Sequence, residues 1–302
     1  MTSLRYRFGI DLGGTKIEIA ALDASSNMVL RERTPTPKLD YAATVSSIVG
    51  LVALAEARLG ASGSVGVAIP GTLSSQSGAV KNANSTWLNG RQLGADLEAA
   101  LGRPVRLAND ANCFALSEAT DGAAAGAGLV FGVILGTGVG GGLVMRGEVI
   151  QGAHGIAGEW GHNPLPQAHG EELPGPACYC GRRGCIETFL SGPALEASYM
   201  EQGGEPATAS DIAQRAGTGD ALALAVLAQH QDRLARALGS VVNLLDPDCI
   251  VLGGGLSNLE SLYTDLSERV MTYAFTPETP PRIRRNRHGD SSGVRGAAWL
   301  WP

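Results

Sequence analysis

Three observations predict an α/β chain built as two domains with a cleft between them. Two pairs of short apolar runs meet at glycine turns, as β-hairpins do. Each pair is followed by stretches with helical spacing. Glycine, 42 of 302 residues, is concentrated at those turns rather than spread evenly. The first hairpin joins 8–11 to 17–22 through Leu12-Gly13-Gly14-Thr15, and 28–34 reads as a third strand. Apolar residues at Val45, Ile48, Val49, Val52 and Leu59 mark a helix over 44–59. Strands follow at 64–69 and 105–108, and Asn109-Asp110 opens a helix running to about Thr120. The uncharged stretch 122–145 predicts a helix and then two buried strands, 129–135 and 142–145, around a glycine turn. Residues 152–185 read as loop, 221–245 as a long amphipathic helix, 249–252 as a strand and 258–273 as a helix. The expected domains are a smaller one over 1–120, joined by a C-terminal helix at 290–302, and a larger one over 121–289.

Composition narrows the function classes. Hydrophobic residues make up 44% and charged residues 17%, which suits a packed core and excludes disorder as the main state. Net charge is −6, and the basic run 282–287 is short, which argues against nucleic acid as the partner. The N-terminal residues lack the apolar core of a signal peptide. The stretch 122–145 is long enough to span a bilayer, but its glycines would make a poor helix and leave backbone unsatisfied in lipid. A soluble, cytoplasmic protein is expected. Three of the five cysteines lie within eight residues, a metal cluster of a reducing compartment rather than a disulfide framework.

Glycine turns bring bare backbone amides close to a ligand. In Asp11-Leu12-Gly13-Gly14-Thr15-Lys16 the amides can cradle phosphate, Thr15 adds a hydroxyl and Lys16 a positive charge. Asp11 can hold Mg²⁺ through water. An ordinary hairpin turn is the alternative. The run 136–142 satisfies G-x-G-x-x-G at Gly136, Gly138 and Gly141, but a strand follows it where a dinucleotide fold needs a helix. A second phosphate-holding hairpin remains, with Gly136, Thr137, Gly138 and Gly140 as its candidates, and the two hairpins could enclose a triphosphate. Gly253-Gly254-Gly255 ends a strand and offers flat backbone to an adenine, or else only a tight strand-to-helix turn.

Asp110 is either a helix cap or a carboxylate that accepts a proton from an attacking hydroxyl. A helix N-terminus keeps it ionised, and phosphoryl transfer asks a protein for little more than one such base and good positioning. Cys178-x-Cys180-x₄-Cys185 suits structural zinc. The fourth ligand is His162, with His154 and His169 as rivals. Glu159 and Glu187 flank this knot, which would hold them rigidly.

Asp11-Leu-Gly-Gly-Thr-Lys16, the 136–142 turn, Glu159-x-Gly-His162 and Cys178-x-Cys-Gly-x-x-Gly-Cys185 together resemble the ROK family of bacterial sugar kinases and repressors, in order along essentially the whole chain. The resemblance implies an actin-like, hexokinase-like (ribonuclease H-like) two-domain fold that closes over ATP-Mg²⁺ and a hexose. It implies that Asp110 is the catalytic base and that Asn109, Asp110, Glu159, His162 and Glu187 bind sugar hydroxyls. His162 would also ligate zinc with Cys178, Cys180 and Cys185. Asn84 and Trp87 fall where the family shapes its sugar pocket. The family often forms homodimers.

Within the family, stretches 81–90, 108–113, 185–192 and 288–301 resemble proteobacterial fructokinases, so phosphorylation of D-fructose on its 6-hydroxyl is expected. N-acetylglucosamine kinase, glucokinase and a broad hexokinase are the alternatives. A sugar-responsive repressor is disfavoured, because only ten residues precede Asp11 and a DNA-binding domain needs more.

Overall fold

The computed structural model describes residues 5–302. Its elements in chain order are β1 (Tyr6–Leu12), β2 (Lys16–Leu22), β3 (Met28–Pro35), α1 (Tyr41–Leu59), β4 (Gly63–Ile69), β5 (Thr72–Leu73), β6 (Val80–Lys81), α2 (Leu93–Leu101), β7 (Val105–Asn109) and α3 (Asp110–Thr120). Then come β8 (Leu129–Leu135), β9 (Val139–Met145), β10 (Glu148–Val149), α4 (Glu187–Leu190), α5 (Gly192–Glu201), α6 (Ala209–Gly217), α7 (Ala221–Leu245), β11 (Cys249–Gly253), α8 (Leu266–Met271), β12 (Ile283–Arg285) and α9 (Ser292–Ala298). The chain divides into two compact units. The first holds the described residues up to Gly122 together with Gly142–Ala157 and Asp290–Pro302, and the second holds Ala123–Gly141 and Gly158–Gly289. The continuous region expected over 121–289 therefore gives up 142–157, because the division falls inside β9.

The first unit is built on a mixed sheet of order β3-β2-β1-β4-β7. Strands β3, β2 and β1 run antiparallel, and β1, β4 and β7 run parallel. Side chains alternate across the sheet, and the two faces carry different residues. Phe8, Ile10 and Leu12 of β1 and Val65, Val67 and Ile69 of β4 join a core with Ile48, Leu51, Val52 and Ala55 of α1 and Leu93 and Leu97 of α2. By length and composition α1 could cross a membrane, a candidate the sequence reading passed over, but this apolar face is buried against the sheet. Asp40 caps α1 by accepting from the Ala43 N–H. The opposite face is nearly bare. A β-carbon at Gly9 would lie 1.9 Å from Val294 O, and one at Gly66 would lie 1.9 Å from Ala297 O. Helix α9 thus rests on sheet backbone, with Ala68, Ala108, Cys113 and Ala297 as the small side chains around it.

The second unit's strands β8, β11 and β12 lie side by side in parallel, within a sheet of order β10-β9-β8-β11-β12. Helix α7 spans the residues expected and is capped by Asp220, which accepts from the Ala223 N–H. Its inner face carries Val226, Leu234, Ala235 and Leu238. It also buries two arginines against one buried acid: Glu172 Oε1 is 2.8 Å from Arg233 Nε and 2.6 Å from Arg236 Nη2. Against desolvation, which alone would raise it, hydrogen bonds from Arg236 and Arg233 hold the Glu172 carboxyl down to about 2. Arg236 also donates to the carbonyls of Pro166 and Gln167, fastening that loop to α7.

Two expected helices are absent. Residues 122–128 form turns, since glycines at 122, 126 and 128 weaken a helix there and Gly126 has φ +84°. The helix expected over 258–273 is broken into two short 3₁₀ turns, Gly255–Asn258 and Glu260–Tyr263, followed by α8. Leu259 is extended between the turns, and Asp265 takes a left-handed φ of 51° just before α8.

Candidate active site

In the first unit, the predicted residues gather at the C-terminal ends of the parallel strands, where α/β sheets bind ligands. Asp11 lies near the end of β1, paired with Ala68, and Asn109 ends β7, paired with Ile69. The turn after β1 is tight: Gly13 N–H donates to Lys16 O at 3.0 Å, and Thr36 Oγ1 donates to Gly13 O at 2.7 Å. Gly14, Thr15 and Lys16 are exposed along it. Lys16 Nζ stands 3.9 Å from the buried carboxylate of Glu18, which also accepts from Arg31 and Arg33. Glu18 was not anticipated; its place within the otherwise apolar run 17–22 was the available signal. Asp11 is pushed up to about 7, first by burial and then by the carboxylates of Asp110 and Glu18, with Lys16 opposing. A carboxyl so destabilised as an anion is a good place for a hydrated Mg²⁺, whose charge would reverse the penalty.

Asn109, not Asp110, is the cap of α3. Its Oδ1 accepts from the Ala111 N–H at 2.9 Å and the Asn112 N–H at 3.3 Å, while its Nδ2 donates to Gly71 O at 2.9 Å. This fixes the strand-to-helix corner. Asp110 is the first helical residue, exposed, with Oδ1 accepting from the Ala111 N–H at 2.8 Å. Capping therefore does not require Asp110, and the N-terminal end of α3 favours its ionised form. Asn84 is exposed in the loop before the Thr86–Leu88 turn. That loop is held by Asn89, whose amide group bonds both N–H and C=O of Ala83, and by Trp87, whose Nε1 donates to Thr44 Oγ1 at 3.3 Å. It runs close to the first glycine turn, for a β-carbon at Gly14 would lie 3.5 Å from Ser85 Oγ.

The second unit places its two glycine turns at the same ends of neighbouring parallel strands. Gly136-Thr137-Gly138 follows β8 and Gly253-Gly254-Gly255 closes β11, whose Gly253 pairs with Ile134. Gly136 N–H donates to Gly138 O at 2.9 Å, closing the first turn. Gly254 has φ +80°, and a β-carbon there would sit 2.4 Å from Leu135 O, so glycine is required. Gly140 stands apart from the turn that it was expected to join. It lies within β9 rather than in the turn, and its carbonyl accepts from Trp160 Nε1 at 3.0 Å. Glu187, the first residue of α4, reaches the first turn: its Oε2 accepts from the Val139 N–H at 2.9 Å, and a β-carbon at Gly138 would come within 2.6 Å of the same oxygen. Burial raises the Glu159 carboxyl, with His162 lowering it and Glu187 raising it further.

The sequence's metal knot closes in space. One ligand atom each from His162, Cys178, Cys180 and Cys185 lies within 4.8 Å of the others. Cys178 Sγ is 3.5 Å from His162 Nδ1, and Cys180 Sγ is 3.6 Å from Cys185 Sγ. Tetrahedral zinc with bonds of about 2.3 Å to sulfur and 2.0–2.1 Å to nitrogen would separate two sulfurs by about 3.8 Å and sulfur from nitrogen by about 3.6 Å. The donor set therefore fits zinc. Hydrogen bonds from Arg182 lower Cys180 to about 6, toward the thiolate that a metal needs. Bridges between Pro164 and Cys185 and between Ala177 and Arg183 brace the loop. His169 instead bonds Gln167 O, and His154 offers its carbonyl to Lys81 Nζ; neither belongs to the set. Tyr179, between two of the cysteines, was not anticipated. Its hydroxyl is 3.0 Å from His162 Nε2, and its ring meets the imidazole edge-on at 5.1 Å.

The chain is 43% identical over 297 residues to an N-acetyl-D-glucosamine kinase of Escherichia coli O127:H6 (strain E2348/69 / EPEC), covering 97% of this chain and 98% of the relative. It superimposes on the ROK hexokinase from Thermus thermophilus with TM-score 0.85 at 35% identity, covering 97% of each chain. A ROK family glucokinase from Streptomyces griseus, solved with glucose and AMPPNP, aligns with TM-score 0.79 at 26% identity over 98% of each chain. The fold is accordingly the hexokinase-like, actin-like α/β fold with mixed sheets. The ROK family profile matches residues 7–302, and the chain belongs to the ROK family.

Proposed function

We propose that this chain is an ATP-dependent sugar kinase that phosphorylates N-acetyl-D-glucosamine on its 6-hydroxyl. The observation that carries the reading is the 43% identity to an N-acetyl-D-glucosamine kinase over 97% of the chain. D-fructose, expected from short stretches of sequence, gives way to it because the full-length relatives bear the other sugar's name.

In this reading Asp110 accepts the proton of the attacking hydroxyl as the new bond to phosphorus forms. Its exposure and its place at the start of α3 suit it, because Asn109 has taken over the capping. Asn84 and Asn109 are assigned to sugar hydroxyls, and so are Glu159, His162 and Glu187. The amides of the Gly13-Gly14 and Gly136–Gly138 turns, with Thr15, Thr137 and Lys16, hold the nucleotide phosphates, and Gly253–Gly255 lies against the adenine. Mg²⁺ bound with ATP would neutralise charge on the transferring phosphoryl group, and Asp11 orients its water shell. Zinc on His162, Cys178, Cys180 and Cys185 is structural, since four protein ligands leave no open position. Reduced cysteines and ATP both suit a cytoplasmic enzyme.

The test is kcat/KM with ATP across N-acetylglucosamine, glucose, mannose and fructose. N-acetylglucosamine is expected to lead by at least about tenfold, a difference of about 1.4 kcal/mol in transition-state binding. A lead for fructose would overturn the sugar assignment and leave the kinase reading standing.

A further inference from the structure

A basic cleft of about 350 Å³ lies in the first unit, at the end of the sheet away from Asp11 and Asn109. It opens where β1, β4 and β7 begin: Arg7 pairs with Ser64, and Arg106 pairs with Gly66. Arg5, Arg7 and Arg106 line it, in a chain whose net charge is −6. Two of them are held over indole rings, with Arg7 Cζ 4.5 Å from the Trp299 ring centre and Arg106 Cζ 4.1 Å from that of Trp301. Trp301 is itself pinned, its Nε1 donating to Val65 O at 2.7 Å. Such ring contacts position a guanidinium without neutralising it. Arg31, Arg33, Arg58 and Arg103 of the same unit each meet a carboxylate, whereas among the described residues none of the three cleft arginines does. Arg7 Nη1 is buried without a hydrogen-bond partner among the described residues. Asp23 also lines the cleft, but its carboxylate is engaged in its own turn, accepting from Ser25 and Asn27.

Three cations around one cleft repel one another, and a buried guanidinium nitrogen with no acceptor is an exception that asks for a missing anion or water. We propose that this cleft binds the phosphate group of a small metabolite, with Arg5, Arg7 and Arg106 as its ligands. A guanidinium fork matches phosphate oxygens two at a time, which an acidic protein has reason to keep unpaired only where an anion is to be received. The volume lies at the low end for ligand pockets and suits a molecule no larger than a hexose phosphate. The site is distinct from the glycine turns. Along β1 the four residues from Arg7 to Asp11 span about 13 Å. Helix α9 covers the strand between them, since a β-carbon at Gly9 would lie 1.9 Å from Val294 O. The proposal does not depend on which sugar the kinase takes.

The test is calorimetric titration of the full chain with inorganic phosphate, glucose 6-phosphate and glucose, in the parent, Arg106→Gln and Arg106→Lys. Arg106 is exposed, so both variants should fold, and the urea midpoint checks that they do. Any phosphate bound at the glycine turns is common to all three proteins, so the difference between them reads the cleft. The parent is expected to bind one equivalent of a phosphate compound that Arg106→Gln binds at least about tenfold more weakly and that Arg106→Lys recovers in part, with no such difference for glucose. Tighter binding of glucose 6-phosphate identifies an ester as the occupant, and equal binding identifies phosphate itself; either supports the site. Identical titrations of parent and Arg106→Gln overturn the proposal. Weaker binding that comes with a fallen urea midpoint and no recovery in Arg106→Lys overturns it as well, since the arginine would then be serving the fold.

Discussion

Replacing Asp11 by asparagine should change how stability depends on pH, by an amount the structure sets. The Asp11 carboxyl rises from the usual 3.8 to about 7, because burial and the nearby Asp110 and Glu18 carboxylates oppose its charge more than Lys16 supports it. Between those two values the folded chain keeps a proton that the unfolded chain has released. Stability therefore falls as pH rises through that window, by about 1.4 kcal/mol for each pH unit, and levels off above 7. From pH 5 to pH 8 the loss due to this group is about 2.7 kcal/mol. Asparagine does not titrate, so the variant lacks this loss, and the titrations of groups not coupled to Asp11 cancel in the comparison. The assay is urea unfolding at pH 5 and pH 8 in magnesium-free buffer, followed by tryptophan fluorescence. Three of the four tryptophans, Trp87, Trp299 and Trp301, belong to the unit that holds Asp11. The stability difference between parent and variant should shift by about 2.7 kcal/mol in the variant's favour on going to pH 8. A shift within about 0.5 kcal/mol of zero, the usual size of surface effects, would refute the reasoning.

Asp110→Asn should lower kcat about 10²–10⁴-fold, the range for loss of a general base, while calorimetry still detects sugar binding; an unchanged kcat would remove Asp110 from the base role. Metal analysis of freshly purified protein should find about one zinc per chain, and stripping it should raise the sugar KM through the loosened Glu187; protein without zinc would contradict the knot. Glu172→Gln leaves Arg233 and Arg236 buried without their anion and should destabilise the second unit by about 3–5 kcal/mol, measured by denaturation at pH 7. In the parent protein the Glu172 contribution should be present above pH 4.5 and be lost as pH falls toward 2, since its folded-state value is depressed.

What the sequence made legible was local. The hairpin around Gly13-Gly14 follows from alternating apolar residues on either side of a glycine pair, and α7 follows from an uninterrupted helical period with Asp220 at its start. The candidate metal-ligand set was readable because three of its four residues fall within one short loop. Long-range pairings were not. Glu172 meets Arg233 and Arg236 some sixty residues later, and nothing near Glu172 announces a partner. The Glu187–Val139 bond joins two motifs that look independent in the chain. Asp110 and Asn109 are both good caps, and only the backbone at the corner decides between them. The broken helix after Gly255 was missed because apolar periodicity there persists while Leu259 and Asp265 leave helical geometry.

The seat of α9 on bare β-sheet backbone has a kinetic consequence. Gly9 and Gly66 leave one sheet face with almost nothing of its own to bury, and the covering helix is synthesised only after the whole second unit. On the ribosome, strands β1, β4 and β7 must therefore wait with an open glycine-lined face while the intervening chain emerges. Contacts of such sequence separation are costly to close and slow folding. The second unit can assemble first, while the first, although it begins the chain, completes only when α9 docks, and until then its glycine-lined face stays open to mispairing.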